Sequence, residues 1–248
     1  MITSSFDTTK PLVNLKDFYG EKKHLVDKCL IILSVELYNY MLKHFAVTEI
    51  ARVKFCCGDT IVYCFNYENE TMAFYLSFIG ATLAGSTITE VNWLTGATKY
   101  IMFGSCGSLN HEITKGKYII PTKAYRDEGM SYHFMPPSDY ITLANNDQLA
   151  TIFTELNVPF VRGPIWTTDA MLRETYGQVT KRKEEGCIAV EMEISGVEAV
   201  SQFYGFKLHT FLQAGDIIYD DGYDPTSLGN ANHDIDKLLI ALKALKKL

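Results

Sequence analysis

The stretch Ile188–Asp216, IAVEMEISGVEAVSQFYGFKLHTFLQAGD, decides the fold class. Ile188 to Val190 is a short apolar run of the kind that forms a buried strand. Ile194 to Tyr204 reads as a helix stopped by Gly205, and Lys207 to Ala214 returns to strand formers. Strand, helix and strand in that order make a βαβ unit, whose crossover joins parallel strands of a sheet covered by helices.

Upstream, three more apolar or β-branched runs each end in a small residue. Cys29 to Leu33 stops at Ser34, Phe74 to Ile79 at Gly80, and Tyr100 to Phe103 at Gly104. A helix is expected over Ala81 to Leu94, with Gly96 as its C-cap. Val53 to Tyr67 carries Gly58 and Asp59 near its start and the polar break Glu68 to Glu70 after it, a pattern of antiparallel strands. Tyr118 to Pro121 and Ala124 to Tyr125 read as short strands before a loop at Pro136 and Pro137. Asn145 to Leu156 reads as a helix, and Phe160 to Trp166 as a strand whose Pro164 marks an edge or an irregularity. From His233, the residues Ile235, Leu238, Leu239, Leu242 and Leu245 recur at helical spacing, which predicts a closing helix packed on the core. With no repeat and no linker-like shift in composition, residues 1–248 read as a single α/β domain. Its expected form is a three-layer α/β/α arrangement with a central mixed sheet, residues 1–25 being an N-terminal extension.

Composition narrows the function. The 248 residues carry 23 Lys plus Arg against 29 Asp plus Glu, a net charge of −6. That balance, with no basic cluster beyond the last few residues, argues against nucleic acid, and no apolar run reaches the roughly 18 residues of a membrane span. Cys29, Cys56, Cys57, Cys64, Cys106 and Cys187 show no CxxC spacing, and no secretory segment is evident, so reduced thiols and a cytoplasmic location are expected.

The chemistry collects where these strands end. Ligands of open α/β sheets bind beyond the carboxyl ends of the strands. Gly80, the Gly104–Ser108 turn, Thr167 to Asp169, Glu191 to Glu193, and Gly215 with Asp216 all fall there. Amides freed by glycines at helix starts, with the Ser105 hydroxyl, make an anion site without a lysine, although Gly104 and Gly107 would equally serve a plain tight turn. Glu191, Glu193 and Asp216 arrive from buried strands, so their charges must be paired, hydrogen-bonded or functional. One such carboxylate suits a ribose diol, and a second, sheltered one can hold a proton for a leaving group. The structural alternative is that these acids cap the following helix or pair with Arg126 or Arg173. Gly80 to Ser86 lacks the lysine of a P-loop, and Lys115 stands where a zincin's second histidine would be, so no metal site is expected.

Phe103–Leu109 (FGSCGSL), Val190–Glu193 (VEME) and Gly215-Asp216 together resemble the nucleoside phosphorylase family of purine nucleoside phosphorylases, uridine phosphorylases and nucleosidases. Tyr125–Tyr132 (YRDEGMSY), with His133, and Trp166–Thr175 (WTTDAMLRET) are similar to its uridine or general nucleoside branch. The resemblance implies a phosphorylase/hydrolase-like fold and a pentosyltransferase of nucleotide salvage. Such an enzyme cleaves an N-glycosidic bond through an oxocarbenium-like transition state, with phosphate as co-substrate and no cofactor. Carried over, catalytic Glu193 would hold the ribose hydroxyls and Asp216 would protonate purine N7. Met192 would pack on the sugar, Met171 and Leu172 would line the base, Glu191, Arg173 and Arg126 would complete the substrate site, and the Gly80 loop and Ser105 would hold the phosphate. His24 or His133 would reach the 5′-hydroxyl.

Two arginines of the family pattern are absent: Ser34–Leu37 replaces a Gly-Asp-Pro-x-Arg loop, and Met102 stands before the GSCGS turn. Substitution by Arg126, Arg173 or a neighbouring subunit's Arg52 would restore phosphate capture. Attack by water, as in a phosphate-independent nucleosidase, is the alternative, followed by a uridine phosphorylase or a non-catalytic nucleoside-binding protein. Asp216 favours a purine, and the resemblance implies a homo-oligomer, a hexamer or a dimer, with residues 1–25 expected at its interface.

Overall fold

The computed structural model describes residues 4–56 and 58–248, so Cys57 and the first three residues of the N-terminal extension lie outside it. Among the described residues eleven strands join one sheet: β1 Lys28–Ile32, β2 Val47–Phe55, β3 Gly58–Tyr67, β4 Glu70–Leu76, β5 Lys99–Ser108, β6 Tyr118–Asp127, β7 Tyr140–Thr142, β8 Phe160–Thr168, β9 Ala189–Glu191, β10 Lys207–Ile218 and β11 Tyr223–Asp224. The helices are α1 Leu15–Tyr19, α2 Val35–His44, α3 Ala81–Thr95, α4 His111–Thr114, α5 Ser131–Phe134, α6 Asn146–Glu155, α7 Tyr176–Glu184, α8 Ile194–Tyr204, α9 Leu228–Asn232 and α10 Ile235–Lys247, with a 3-10 turn at Met171–Arg173.

Helices cover both faces of this sheet. Alternate residues of β1 serve opposite cores, which is why all five of its positions are buried. Cys29 and Ile31 pack with Ile88 and Val91 of α3 and with Val197 and Val200 of α8. Leu30 and Ile32 pack on the other side with Leu37 and Met41 of α2, Phe153 of α6, and Leu238 and Leu242 of α10. The expected layering and mixed sheet are therefore present. The elements also start and stop on readable signals: Ser34 Oγ accepts the Leu37 N–H to cap α2, and Gly96 ends α3 with φ at 82°.

The connectivity departs from the βαβ reading. One side of the sheet runs β2-β3-β4-β1-β5, but beyond β5 the strands close on themselves, because β5 pairs with both β9 and β10 while β8 and β6 bridge those two. The sheet is not open. β10 lies parallel to β5 along its whole length, whereas β9 meets only Gly107 and Ser108 at the far end of β5 and runs antiparallel. The two strands joined by α8 are consequently antiparallel, with β5 between them. Three residues suffice for β9 to seal the ring, and a strand so short takes its direction from tertiary pairing rather than from its crossover.

Three smaller differences bear on the site. β5 continues through Gly104–Ser108, so this segment is strand rather than tight turn. β10 likewise runs past Gly215-Asp216, with a register shift between Ala214 and Asp216. β8 is an interior strand, and Pro164 falls where its ladder to β6 is already broken, between Gly163 and Ile165. The N-terminal segment packs on α3 of its own chain: the Trp93 indole N–H donates to Gly20 O at 3.0 Å, and the Tyr19 hydroxyl donates to Glu90.

Candidate active site

A cavity of about 810 Å³ opens at the closed end of the sheet, within the size range of small-molecule sites. Its floor is Phe103–Gly107 of β5, flanked by Val190–Glu193 and by Asp216 and Ile218 of β10. Ser34–Leu37 at the start of α2, the Met171–Glu174 turn, and Asn232, His233 and Lys237 complete it.

Asp216 reaches the cavity because the bulge in β10 re-aims a side chain that regular alternation would place elsewhere. Gly107 makes room for it, since a Cβ there would sit 3.1 Å from Asp216 Oδ2 and 3.0 Å from both Ile218 and Val190. Burial pushes the Asp216 carboxyl above its ordinary range, opposed by a hydrogen bond from the Tyr223 hydroxyl. Glu174 faces the same region. Burial, with the charge of Asp216, raises its carboxyl to about 7. Two carboxyl groups whose proton affinity is raised by burial therefore share one side of the cavity, an arrangement suited to general-acid chemistry.

Glu193 and Glu191 behave differently from each other. Glu193 Oε1 accepts the Gly80 N–H at 2.7 Å, which orients the carboxylate. The buried Glu191 caps α8: its Oε2 accepts the N–H groups of Glu193 at 2.6 Å and Ile194 at 2.7 Å, and its Oε1 accepts the Thr167 hydroxyl. Burial raises both carboxyls, Glu191 further through the charge of Glu193. The helix-capping alternative thus applies to Glu191, which holds the first amides of α8, while Glu193 is turned toward Gly80.

The opposite wall is polar. Ser105 Oγ donates to Asn232 Oδ1, and His233 Nδ1 lies 2.8 Å from Ser34 Oγ and 2.9 Å from Glu36 Oε2. Lys237, 1% exposed, donates its ammonium to Ala231 O.

Asp216, Glu193, Glu191, Met192, Met171, Leu172 and Ser105 all line this cavity, whereas Arg126 and Arg173 do not. The Arg126 guanidinium is consumed behind α8, donating to Ser131 Oγ, Pro136 O and Ser138 Oγ at 2.8 to 2.9 Å and stacking on Tyr132. Arg173 ends the 3-10 turn exposed to solvent. Gly80 gives its amide to Glu193, which removes it as an anion donor. His24 and His133 are exposed outside the lining, and His233 is the histidine at the cavity. Sequence reasoning missed Glu174, Asn232, His233 and Lys237. Only Lys237 left a signal: it precedes the buried Ala241 and Ala244 by four and seven positions, which puts a cation on the buried stripe of α10.

Comparison with known proteins agrees with this architecture. The chain is 26% identical over 164 residues to the DeoD-type purine nucleoside phosphorylase of Bacillus cereus (strain ZK / E33L), covering 65% of this chain and 69% of that protein. The fold superposes on uridine phosphorylase from Vibrio fischeri ES114 with a TM-score of 0.73 at 21% identity, over 92% of this chain and 98% of the other. It superposes on the 5′-methylthioadenosine/S-adenosyl homocysteine nucleosidase of Campylobacter jejuni with a TM-score of 0.72 at 18% identity, over 90% and 100%. Since the family profile also matches continuously over residues 30–247, from the first strand into the last helix, the chain belongs to the phosphorylase superfamily.

Proposed function

We propose that the chain cleaves the N-glycosidic bond of a purine nucleoside and transfers the ribosyl group to phosphate. The observation that carries this reading is the arrangement of Glu193 and Asp216 on one cavity, the former oriented by an amide and the latter sheltered beside Glu174. Glu193 holds the ribose hydroxyls. A phosphate oxygen bonds to C1′ as the C1′–N9 bond breaks, the electron pair passes to the base, and N7 takes the proton of Asp216, which solvent replaces. Met171 and Leu172 cover the base. The exposed apolar rim of Val35, Ile79, Leu172 and Tyr176 supports assembly into a homo-oligomer.

A second reading, attack by water, is favoured by the scarcity of cationic groups in the lining, where Lys237 and His233 stand beside the five carboxyl groups of Glu36, Glu174, Glu191, Glu193 and Asp216. Incubating inosine, adenosine, guanosine, uridine and methylthioadenosine with and without phosphate separates the two. Ribose 1-phosphate formed only with phosphate is the expected product. Free ribose at equal rates in both mixtures would assign the reaction to hydrolysis, and turnover of uridine alone would overturn the purine assignment.

A further inference from the structure

We propose that Lys237, in the first turn of α10, supplies the cation of an oxyanion subsite at the Ser105 end of the cavity, where it holds a tetrahedral phosphate-type anion. The inference rests on the nucleoside-cleaving reading above and assigns a residue to the anion that this reading requires.

Lys237 is almost wholly buried, yet it enters no ion pair among the described residues, and its one hydrogen-bond partner is Ala231 O. The acid whose charge it feels, Asp234 at the N-cap of α10, is engaged by other donors: it accepts from the Asp236 N–H at 2.9 Å and from Gln213 Nε2 at 2.8 Å. A buried ammonium needs an anionic partner, and three donor hydrogens leave it two beyond the Ala231 bond. Its position in the first turn of a helix adds repulsion from the positive end of the dipole. The fold therefore carries a cation at a place where packing and helix electrostatics both oppose it. What lies in front of it is the cavity.

The surroundings suit an oxyanion. Lys237 lines the same wall as Ser105, Asn232 and the N-terminal turn of α2, and its charge is felt by the neighbouring Cys106 thiol. Burial holds that thiol protonated, so Cys106 offers no competing anion. The five carboxyl side chains of the lining include none in ion-pair contact with Lys237. Arg52, Arg126 and Arg173 are engaged or directed elsewhere, which leaves Lys237 as the lysine or arginine of the cavity wall. The anion is either free phosphate, the attacking group, or a phosphoryl group carried on the 5′ position of a nucleotide.

The test is calorimetric titration of inorganic phosphate, and separately of adenosine and of adenosine 5′-monophosphate, into the full-length wild type and Lys237→Met. The substitution keeps length and bulk. Loss of one charge-assisted contact should weaken phosphate binding roughly 10- to 100-fold while adenosine binds both proteins alike, which also reports that the variant is folded. Weakening confined to the 5′-monophosphate would identify the nucleotide as the source of the anion and still assign Lys237 to it. Equal phosphate and nucleotide affinities in the two proteins would overturn the proposal. If wild type binds phosphate through Lys237 but yields no ribose 1-phosphate from any nucleoside, the subsite stands and the cleavage reading fails.

Discussion

Replacing Lys237 by Met should raise the stability of the fold relative to wild type at neutral pH and lose that advantage in alkali. Burial lowers the Lys237 ammonium from 10.5 to about 8. The unfolded chain then binds more protons than the folded one between those values, so stability rises with pH across that window. The penalty for holding the charged form is fully present below about pH 8 and is relieved as pH climbs toward 10.5. Linkage puts it at about 3 kcal/mol at pH 7 and about 1.4 kcal/mol at pH 9.5. Met removes the penalty but also the hydrogen bond to Ala231 O, worth about 1 to 2 kcal/mol, so the net gain at pH 7 is about 1 to 2 kcal/mol. Packing changes and the other titrating groups are common to both pH values. The difference between variant and wild type should consequently shrink by about 2 kcal/mol from pH 7 to pH 9.5. Urea unfolding of both proteins at the two pH values measures it. A difference that is unchanged over that interval, or that grows, would refute the account of Lys237 as a strained buried cation.

Asp216→Asn should lower kcat for purine nucleosides by roughly 10²- to 10⁴-fold with little change in substrate affinity, as loss of a general acid does, and steady-state assays at pH 7 check it. Gly107→Ala should cost activity more than stability, because the new Cβ meets Asp216 Oδ2 at 3.1 Å. Gly104→Ala, whose Cβ would meet only the ends of two leucine side chains, Leu33 Cδ1 at 3.3 Å and Leu212 Cδ2 at 3.9 Å, is the control and should retain most activity. Glu174→Gln should flatten the stability profile. The Glu174 carboxyl sits at about 7 against an unfolded value of 4.5, so wild type loses stability as pH rises through that window, and the variant should lose less on thermal melts taken across it.

Local chemistry was legible in the sequence. The run Cys29–Ile32 is apolar at every position because both faces of β1 are covered, Gly96 and Gly205 stop helices where left-handed backbone is required, and Ser34 caps α2. These features depend on neighbours a few residues away, and the composition of the chain states them directly. The order of FGSCGSL, VEME and Gly-Asp likewise announced the family and brought Glu193 and Asp216 to attention.

Tertiary structure decided what pairing and direction decide. Whether Ile188–Asp216 forms parallel neighbours or two strands on either side of β5 depends on which residues Gly107 and Ser108 meet, and no local period encodes that. Glu191 and Glu193 stand two apart on one strand end, yet one is tied to α8 and the other turned toward Gly80, a distinction set by which donors the fold brings near. Arg52, Arg126 and Arg173 lie off the cavity lining, and the lysine that reaches it is Lys237, some twenty residues beyond the last recognised motif. Its charge matters because the closed sheet buries it against the cavity, and burial is a property of the packed whole.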